Sequence, residues 1–372
     1  MRKTCLPLLL ASFLLVSLWA GGPAAAADPP RIDDSGSVQQ MKNLIAYWVN
    51  ALRGAANDAN VVLARDALVK AYKDMEAKNE GYYFADQMAA VAGPVLAKGF
   101  EKDPLRQVKE INLAMALAQM PHETIQPALD AMVASANAGV RYYGWKGYRQ
   151  VRVRVYAQGT QWAQKAMASA DKAAKAETSA TVLTLIFRML ELEAAKPQAV
   201  SQDVWESVQK QTLSTLSGNG PRWCARIRHG DKAMAETGRG AVAALASISK
   251  WAVQDKNNRK DLLQTLVNLA WYAGLAYIDA KGSGQSGEAF TSLLGDCEKA
   301  LNAAEETNRT LIDRTLTDPK INTNPQAVII FIDPVTKEKL GVSAWVDALK
   351  DRGVVQPPIL KPATAPATAP AE

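Results

Sequence analysis

Histidine and cysteine are scarce in this chain. Two histidines, His122 and His229, and three cysteines, Cys5, Cys224 and Cys297, occur among 372 residues. Two histidines are too few for a His-rich metal centre, so neither a metal site nor a cofactor is expected. C-x-x-C, H-E-x-x-H and G-x-S-x-G sequences are all absent, and with them the expectation of thiol-redox, zinc-protease or nucleophile-elbow chemistry. His122-Glu123 lacks the second histidine of a zinc helix. The glycine-rich stretch Lys281–Gly287 has Gln285 where a phosphate loop needs lysine, and it follows a helical pattern rather than a strand, so it reads as a surface loop. Acidic pairs such as Glu191/Glu193 and Glu305/Glu306 read as solvated helix positions. No residue is assigned a catalytic role. Excess charge is also modest: 43 Lys+Arg against 37 Asp+Glu gives +6, well short of a dedicated nucleic-acid binder.

What is present is a core-forming composition. With 48% hydrophobic and 22% charged residues, disorder of the whole chain is excluded. One long apolar run occurs, and it lies at the N-terminus. Arg2 and Lys3 precede the apolar stretch Leu6–Trp19, and small residues end at Ala25-Ala26-Ala27. This is the pattern of an export signal cleaved after Ala27, with a linker over 28–36. The alternative, an uncleaved anchor, is disfavoured because the second half of the segment is Ala, Gly and Pro. Cys5 precedes the apolar stretch, where no lipoprotein cysteine would sit. The expected location is therefore extracytoplasmic, periplasmic or secreted, with no membrane span left after cleavage. Losing Arg2, Lys3 and Cys5 lowers the charge from +6 to +4 and leaves Cys224 and Cys297. Those two can form one disulfide in an exported protein or stand as separate buried thiols.

From about Ser37 to Thr317 the apolar spacing is helical. Val38, Met41, Leu44, Ile45, Trp48, Val49 and Leu52 recur every three or four residues, the signature of one helix face. Further helices are expected at Tyr83–Lys98, Leu105–Gln119, Glu123–Ser135, Val140–Gln158, Trp162–Lys175, Ala180–Ala194, Asp203–Leu216, Lys232–Gln254, Asp261–Ala280 and Glu288–Leu316. Six prolines punctuate the region, and most are expected at helix starts or in linkers. The end of the chain differs. Ala327–Ile332 reads as a strand, Thr336–Leu340 as its hairpin partner, and Ser343–Lys350 as a short helix. Beyond Val355 the Pro/Ala-rich segment reads as a disordered tail. The resulting division is a helical domain over 37–318, a hairpin-plus-helix cap over 319–355 and a tail over 356–372. The fold class is all-α: stacked antiparallel helices, in an open solenoid or in a closed α/α ring.

One segment favours the solenoid. Ile125-Gln126-Pro127-Ala128-Leu129 leads through Met132-Val133 to Asn137-Ala138-Gly139-Val140-Arg141, and Gly144 and Gly147 follow. This resembles a HEAT-type helical repeat, best over 105–150, in which a Pro-Ala-Leu helix, an Asp or Asn turn and a Val-Arg helix recur. Leu105–Gln119 would be the first helix of the unit, and Gly144 and Gly147 stand where the family usually has Ala. The resemblance implies stacking, a partner-binding surface and no catalytic residues.

The total charge hides a local one. Between Ala131 and Ala170 there is no Asp or Glu, while Arg141, Lys146, Arg149, Arg152, Arg154 and Lys165 are interleaved with Tyr142, Tyr143, Trp145, Tyr148 and Tyr156. Guanidinium groups bind carboxylate or phosphate bidentately and aromatic faces stack on rings, so Arg141, Tyr143, Trp145, Lys146, Arg149 and Arg152 form the candidate binding patch. The competing account is core packing plus a solvated basic face, with Arg141 supporting the repeat turn and Val151–Val155 even reading as a strand. Ser207–Gly230, also free of acids, carries Lys210, Arg222, Arg226 and Arg228. The functional expectation is an exported, non-enzymatic helical-repeat protein binding a protein or an anionic polymer. The alternatives are an α/α-ring lyase of acidic polysaccharide, with Arg149 or Arg152 beside Tyr143 or His122, and an envelope spacer.

Overall fold

The computed structural model describes residues 38–100 and 103–358. The expected signal at 1–27, the linker at 28–36 and residues 359–372 of the tail lie outside the described residues. Fifteen α-helices make up most of the rest. They begin with α1 (Val38–Gly54), α2 (Asp58–Glu76), α3 (Gly81–Lys98), α4 (Arg106–Leu117) and α5 (Gln126–Val133). Next come α6 (Ala138–Ala157), α7 (Thr160–Ala176), α8 (Ala180–Leu190), α9 (Gln202–Arg228) and α10 (Lys232–Ser247). The remaining five are α11 (Ser249–Ala252), α12 (Lys256–Gly282), α13 (Glu288–Glu305), α14 (Asp313–Thr317) and α15 (Val342–Ala348). Between the last two, β1 (Phe331–Ile332) pairs antiparallel with β2 (Lys339–Leu340), Phe331 opposite Leu340.

The packing follows one rule. Helices α1, α3, α5, α7, α9 and α12 pack each on the next to form one layer, and α2, α4, α6, α8, α10 and α13 do the same in a second. Antiparallel pairs such as α1/α2, α5/α6, α9/α10 and α12/α13 join the layers. Each amphipathic helix thus buries its stripe between a partner in the other layer and two neighbours in its own. No extensive packing joins α1 or α2 to α12 or α13, so the stack does not close on itself.

Local signals explain the helix starts. Asn57, Asn137, Ser179, Asp231 and Asp255 cap α2, α6, α8, α10 and α12, each accepting a first-turn amide. Pro127 sits in the first turn of α5, where a missing N–H costs nothing. The expected unit boundary shifts, however. α5 pairs with α6 across the Asn137 turn, whereas α4 packs on α2, α3 and α6 rather than on α5. Leu105–Gln119 therefore belongs to the preceding pair. At the α5/α6 contact the two helices approach too closely for a side chain. A Cβ on Gly144 would stand 2.9 Å from the Met132 Cβ and 3.1 Å from the Val133 amide nitrogen, and one on Gly147 2.7 Å from a Leu129 methyl.

Other boundaries moved for identifiable reasons. Helix α9 runs on through Pro221 to Arg228, whereas α3 ends at Lys98 as expected, with Pro94 inside it. The expected helix over 232–254 breaks at Ile248, and that over 288–316 stops where Glu306 adopts the left-handed conformation, φ 53°. Val151–Val155 is helical, with Val151 and Val155 buried one turn apart. The strand expected at Ala327–Ile332 shrinks to two residues. Asn324 accepts the Gln326 amide and Pro325 opens a 3-10 turn through Val328, a helix-start signal that overrides the β-branched run.

The C-terminal unit is fastened by one carboxylate. Glu298 of α13, itself buried, accepts the amides of Ile312 (2.7 Å) and Asp313 (2.8 Å) and the indole N–H of buried Trp345 (3.1 Å). Residues 354–358, the last three expected to belong to the loose tail, lie along α12. Gln264 clasps the Val355 main chain through both its amide atoms (2.8 and 2.9 Å), and Tyr272 donates to the Pro358 carbonyl (2.6 Å).

Glu298→Ala strands two buried donors and a third at the surface, and should cost on the order of 3 kcal/mol in urea unfolding, with Glu298→Gln markedly milder. Gly144→Ala should cost roughly 1–3 kcal/mol in the same assay, because backbone as well as side chain must yield.

Candidate functional site

Helix α6 carries the sequence-predicted patch, and the fold treats its members differently. Arg141 grips Glu177 side-on, Nε to Oε2 at 2.7 Å and Nη2 to Oε1 at 3.0 Å. Its Nη1 donates to the carbonyls of Ser135 and Ala136 at the end of α5. Arg152 donates to Glu193 (2.7 Å) and to the Arg188 carbonyl (2.7 Å), closing the end of α8. Trp145 is fully buried, stacked on Tyr148 at 5.5 Å, so it cannot line a binding surface. Beyond the patch, Lys165 pairs with Asp130 (2.7 Å). The three residues left at the surface are Tyr143, half-buried; Lys146, its ammonium 5.8 Å from the Tyr143 ring; and Arg149, exposed and without an ion pair among the described residues.

Half of the local charge is thus answered by acids from elsewhere in the fold. A forty-residue window without acids drew its partners Asp130, Glu177 and Glu193 from just outside itself. The second window behaves alike. Arg222 donates to the carbonyls of Lys175 and Glu177, Arg226 to Asp231 and the Thr178 carbonyl, and Arg228 pairs with Asp279. Burial alone would raise the Glu177 carboxyl, but Arg141 and the amides of Ser179 and Thr178 outweigh it and hold the group below the usual range.

On the solvent face of the second layer, α6, α8 and α10 enclose a hollow of about 420 Å3. Tyr142, Thr181, Leu185 and Thr237 line it, with Arg188 and Glu236 supplying opposite charges. Thr184 and Thr237 meet there at 3.3 Å and both donate to the Ala180 carbonyl.

A second constellation was not anticipated as a group. At the edge where the α2–α3, α4–α5 and α6–α7 connections meet, the His122 Nε2 lies 3.1 Å from both the Tyr72 hydroxyl and Glu76 Oε2. Tyr72 donates to Glu76 at 3.0 Å, and Arg154 Nη1 reaches His122 Nδ1 at 3.2 Å. Because guanidinium only donates, Nδ1 must accept, and this hydrogen-bond logic assigns the ring hydrogen to Nε2. The bond from His122, with that from Tyr72, holds the Glu76 carboxyl low despite its desolvation. Desolvation, then Glu76, pushes the Tyr72 phenol far above its usual range. Tyr82 stands edge-on to His122 at 6.1 Å, and a cleft of about 380 Å3 opens between them and Arg154, Glu123 and Gln158. The rarity of histidine marked His122. Nothing in the sequence marked partners 32 to 50 positions away.

Of the two arrangements open to Cys224 and Cys297, the fold shows separate buried thiols. Helices α9 and α13 pack chiefly against α10 and α12 instead of each other. Burial pushes the Cys224 thiol up to about 12 and Cys297 well above its usual range, which makes both inert as nucleophiles. Among the described residues no group of three His, Cys, Asp or Glu is placed to hold a metal ion, and no helix is long and apolar enough to cross a membrane.

These features define an all-α protein of stacked neighbouring helices, compatible with a helical-repeat fold. No protein-family model matches the chain, and no curated protein matches it in sequence.

Arg141→Ala should destabilise the fold by roughly 3 kcal/mol at neutral pH, since the buried Glu177 loses its partner. Because Glu177 is depressed in the folded state, the stabilisation is complete above the unfolded carboxylate value of about 4.3 and is lost as pH falls through the lower folded one. Urea unfolding of both proteins from pH 7 to pH 3 should therefore show the gap narrowing only in the acidic range.

Proposed function

We propose that the chain is an exported, non-catalytic scaffold of HEAT-like helix pairs that docks a protein partner on its second-layer face. The observation that carries this reading is the unclosed two-layer stack, which leaves the α6–α8–α10 face open with a hollow of mixed charge and apolar character. Large concave or grooved faces of this kind are how stacked-helix proteins engage partners. The Pro-Ala-Leu, Asn-turn and Val-Arg elements support the HEAT-like assignment by their placement: Pro127 opens α5, Asn137 caps α6, and Arg141 ties the turn.

A protein is favoured over an anionic polymer as the partner. Of the six cations between residues 131 and 170, Arg141, Arg152 and Lys165 are in ion pairs, and none of the six lines the second-layer hollow, so that face offers an anionic polymer no row of free charges. The lyase alternative asked for a closed ring and for Arg149 or Arg152 beside Tyr143 or His122; the unclosed stack speaks against it, and of the two arginines Arg152 is spent on Glu193 while Arg149 is exposed.

Photo-crosslinking residues placed at Thr181 and Glu236, both exposed on the second layer, should yield adducts with one and the same protein in extracts of the source cells. Equivalent placements at Lys172 and Lys210, exposed on the first layer, should yield none. Adducts spread evenly over both layers, or none at either, would overturn the docking face. Sequencing of the exported protein should find Asp28 at its N-terminus.

A further inference from the structure

We propose that the cleft beside His122 is a binding site for a carboxylate-bearing sugar, a uronic-acid-type unit within or at the end of a glycan. It lies on the loop edge of the stack and is independent of the docking face.

The first observation is the state of Arg154. Its Nη1 is pinned by the Pro121 carbonyl and by His122 Nδ1 at 3.2 Å. The Nε–Nη2 edge makes no hydrogen bond among the described residues, although Arg154 lines the cleft. That edge carries two parallel N–H groups at the spacing of a carboxylate. Arg141, Arg152, Arg222, Arg226 and Arg228 use their guanidinium groups in ion pairs or on helix-end carbonyls, whereas Arg154 is held at one nitrogen with the fork left over inside a cleft.

The second observation is the aromatic wall. Tyr82 is 45% exposed and Tyr83 54%, their rings perpendicular at 5.6 Å. Of the two, Tyr82 lines the cleft and offers a flat face to the C–H side of a sugar ring, while Tyr83 braces it edge-on. Opposite them, Val153, Ala157 and Ala199 keep the floor small and apolar.

The third observation selects among anions. Glu123 shares the cleft, its Oε1 accepting from Gln158 Nε2 at 3.2 Å. A phosphate dianion would be repelled by Glu123. A sugar carboxylate presents one charge to Arg154 and hydroxyls to Glu123 and Gln158, so all three groups are used with the right polarity. The cleft, about 380 Å3, falls in the usual range for small-ligand sites. His122 serves as a positioning residue: with both ring nitrogens engaged, it holds Arg154 and backs Tyr82, which lowers the ordering cost of binding.

Calorimetric titration of the whole chain with a short galacturonate oligomer tests the site, with a neutral glucose oligomer, acetate and inorganic phosphate as comparison probes. The galacturonate oligomer should bind at least about tenfold more tightly than each of them, the difference that one good charge-assisted pair supplies. Arg154→Gln and Tyr82→Ala should each weaken it by about tenfold, whereas Tyr82→Phe should not. Tyr82 makes no hydrogen bond in the His122 network, so its variant remains informative if Arg154→Gln disturbs the fold. Equal affinity for the neutral oligomer, equal affinity for acetate or phosphate, or unchanged binding by Tyr82→Ala would each overturn the proposal.

Discussion

The grip of Arg141 on Glu177 is the contact on which the stack most depends, because it ties two successive inter-helix turns with one buried, fully bonded charge pair. Glu177 ends α7 and accepts the amides that start α8, so the pair fixes the α7–α8 corner as well as the α5–α6 turn. Arg222 and Arg226 of α9 then lay their guanidinium groups on the carbonyls of the same corner. Toward the N-terminus, Asn137 donates to Glu110, and Lys109 reaches both Asp103 and the carbonyl of Arg53 at the end of α1. Five successive turns along one edge are therefore linked through side chains. Helix ends expose carbonyls that cannot be buried unpaired, and a stack of short helices buries many of them. The basic residues of this chain are largely the solution to that problem.

The opposite edge solves it in the same way and leaves a remainder. Arg152 closes α8 with the help of Glu193, and Gln158 meets Glu123 across a connection. Arg154 closes the turn at Pro121 with one nitrogen only, and the surplus of its fork, beside an exposed tyrosine pair, is what distinguishes a binding cleft from a seam. The two candidate surfaces thus differ in kind. The second-layer hollow arises from the spacing of stacked helices, while the edge cleft is assembled by hydrogen bonds that orient particular groups.

Much of the fold was legible before any coordinates. The starts of α5 and α6 follow from Pro127 and Asn137, and the apolar spacing placed most helices, although α12 begins at Lys256 rather than at the expected Asp261. Boundaries failed where tertiary packing overrode a local signal. Pro221 sits inside a helix that its neighbours hold together, and the β-branched run before Ile332 coils because Asn324-Pro325 starts a turn. The candidate patch fared worse. Alternating charge and aromatic residues on α6 looked like a ligand surface, yet Trp145 faces the core and Arg141 and Arg152 face neighbouring turns. A helix shows all its faces in one line of sequence, and only its neighbours decide which are covered.

The amino-acid sequence by itself determined an all-α chain, the approximate positions of most helices, and the scarcity of histidine and cysteine that leaves little room for metal or thiol chemistry. These are properties of spacing and composition, set by a helical period of a few residues. The tertiary structure alone decided that the helices stack in two layers without closing, that Cys224 and Cys297 stay apart, and that half of a local charge of six is compensated. It also decided that Tyr72, Glu76, Tyr82, His122 and Arg154 share one cleft edge. Those outcomes depend on contacts between residues tens of positions apart. Electrostatic and hydrogen-bond energies act over a few ångströms of space, and sequence distance carries no information about them.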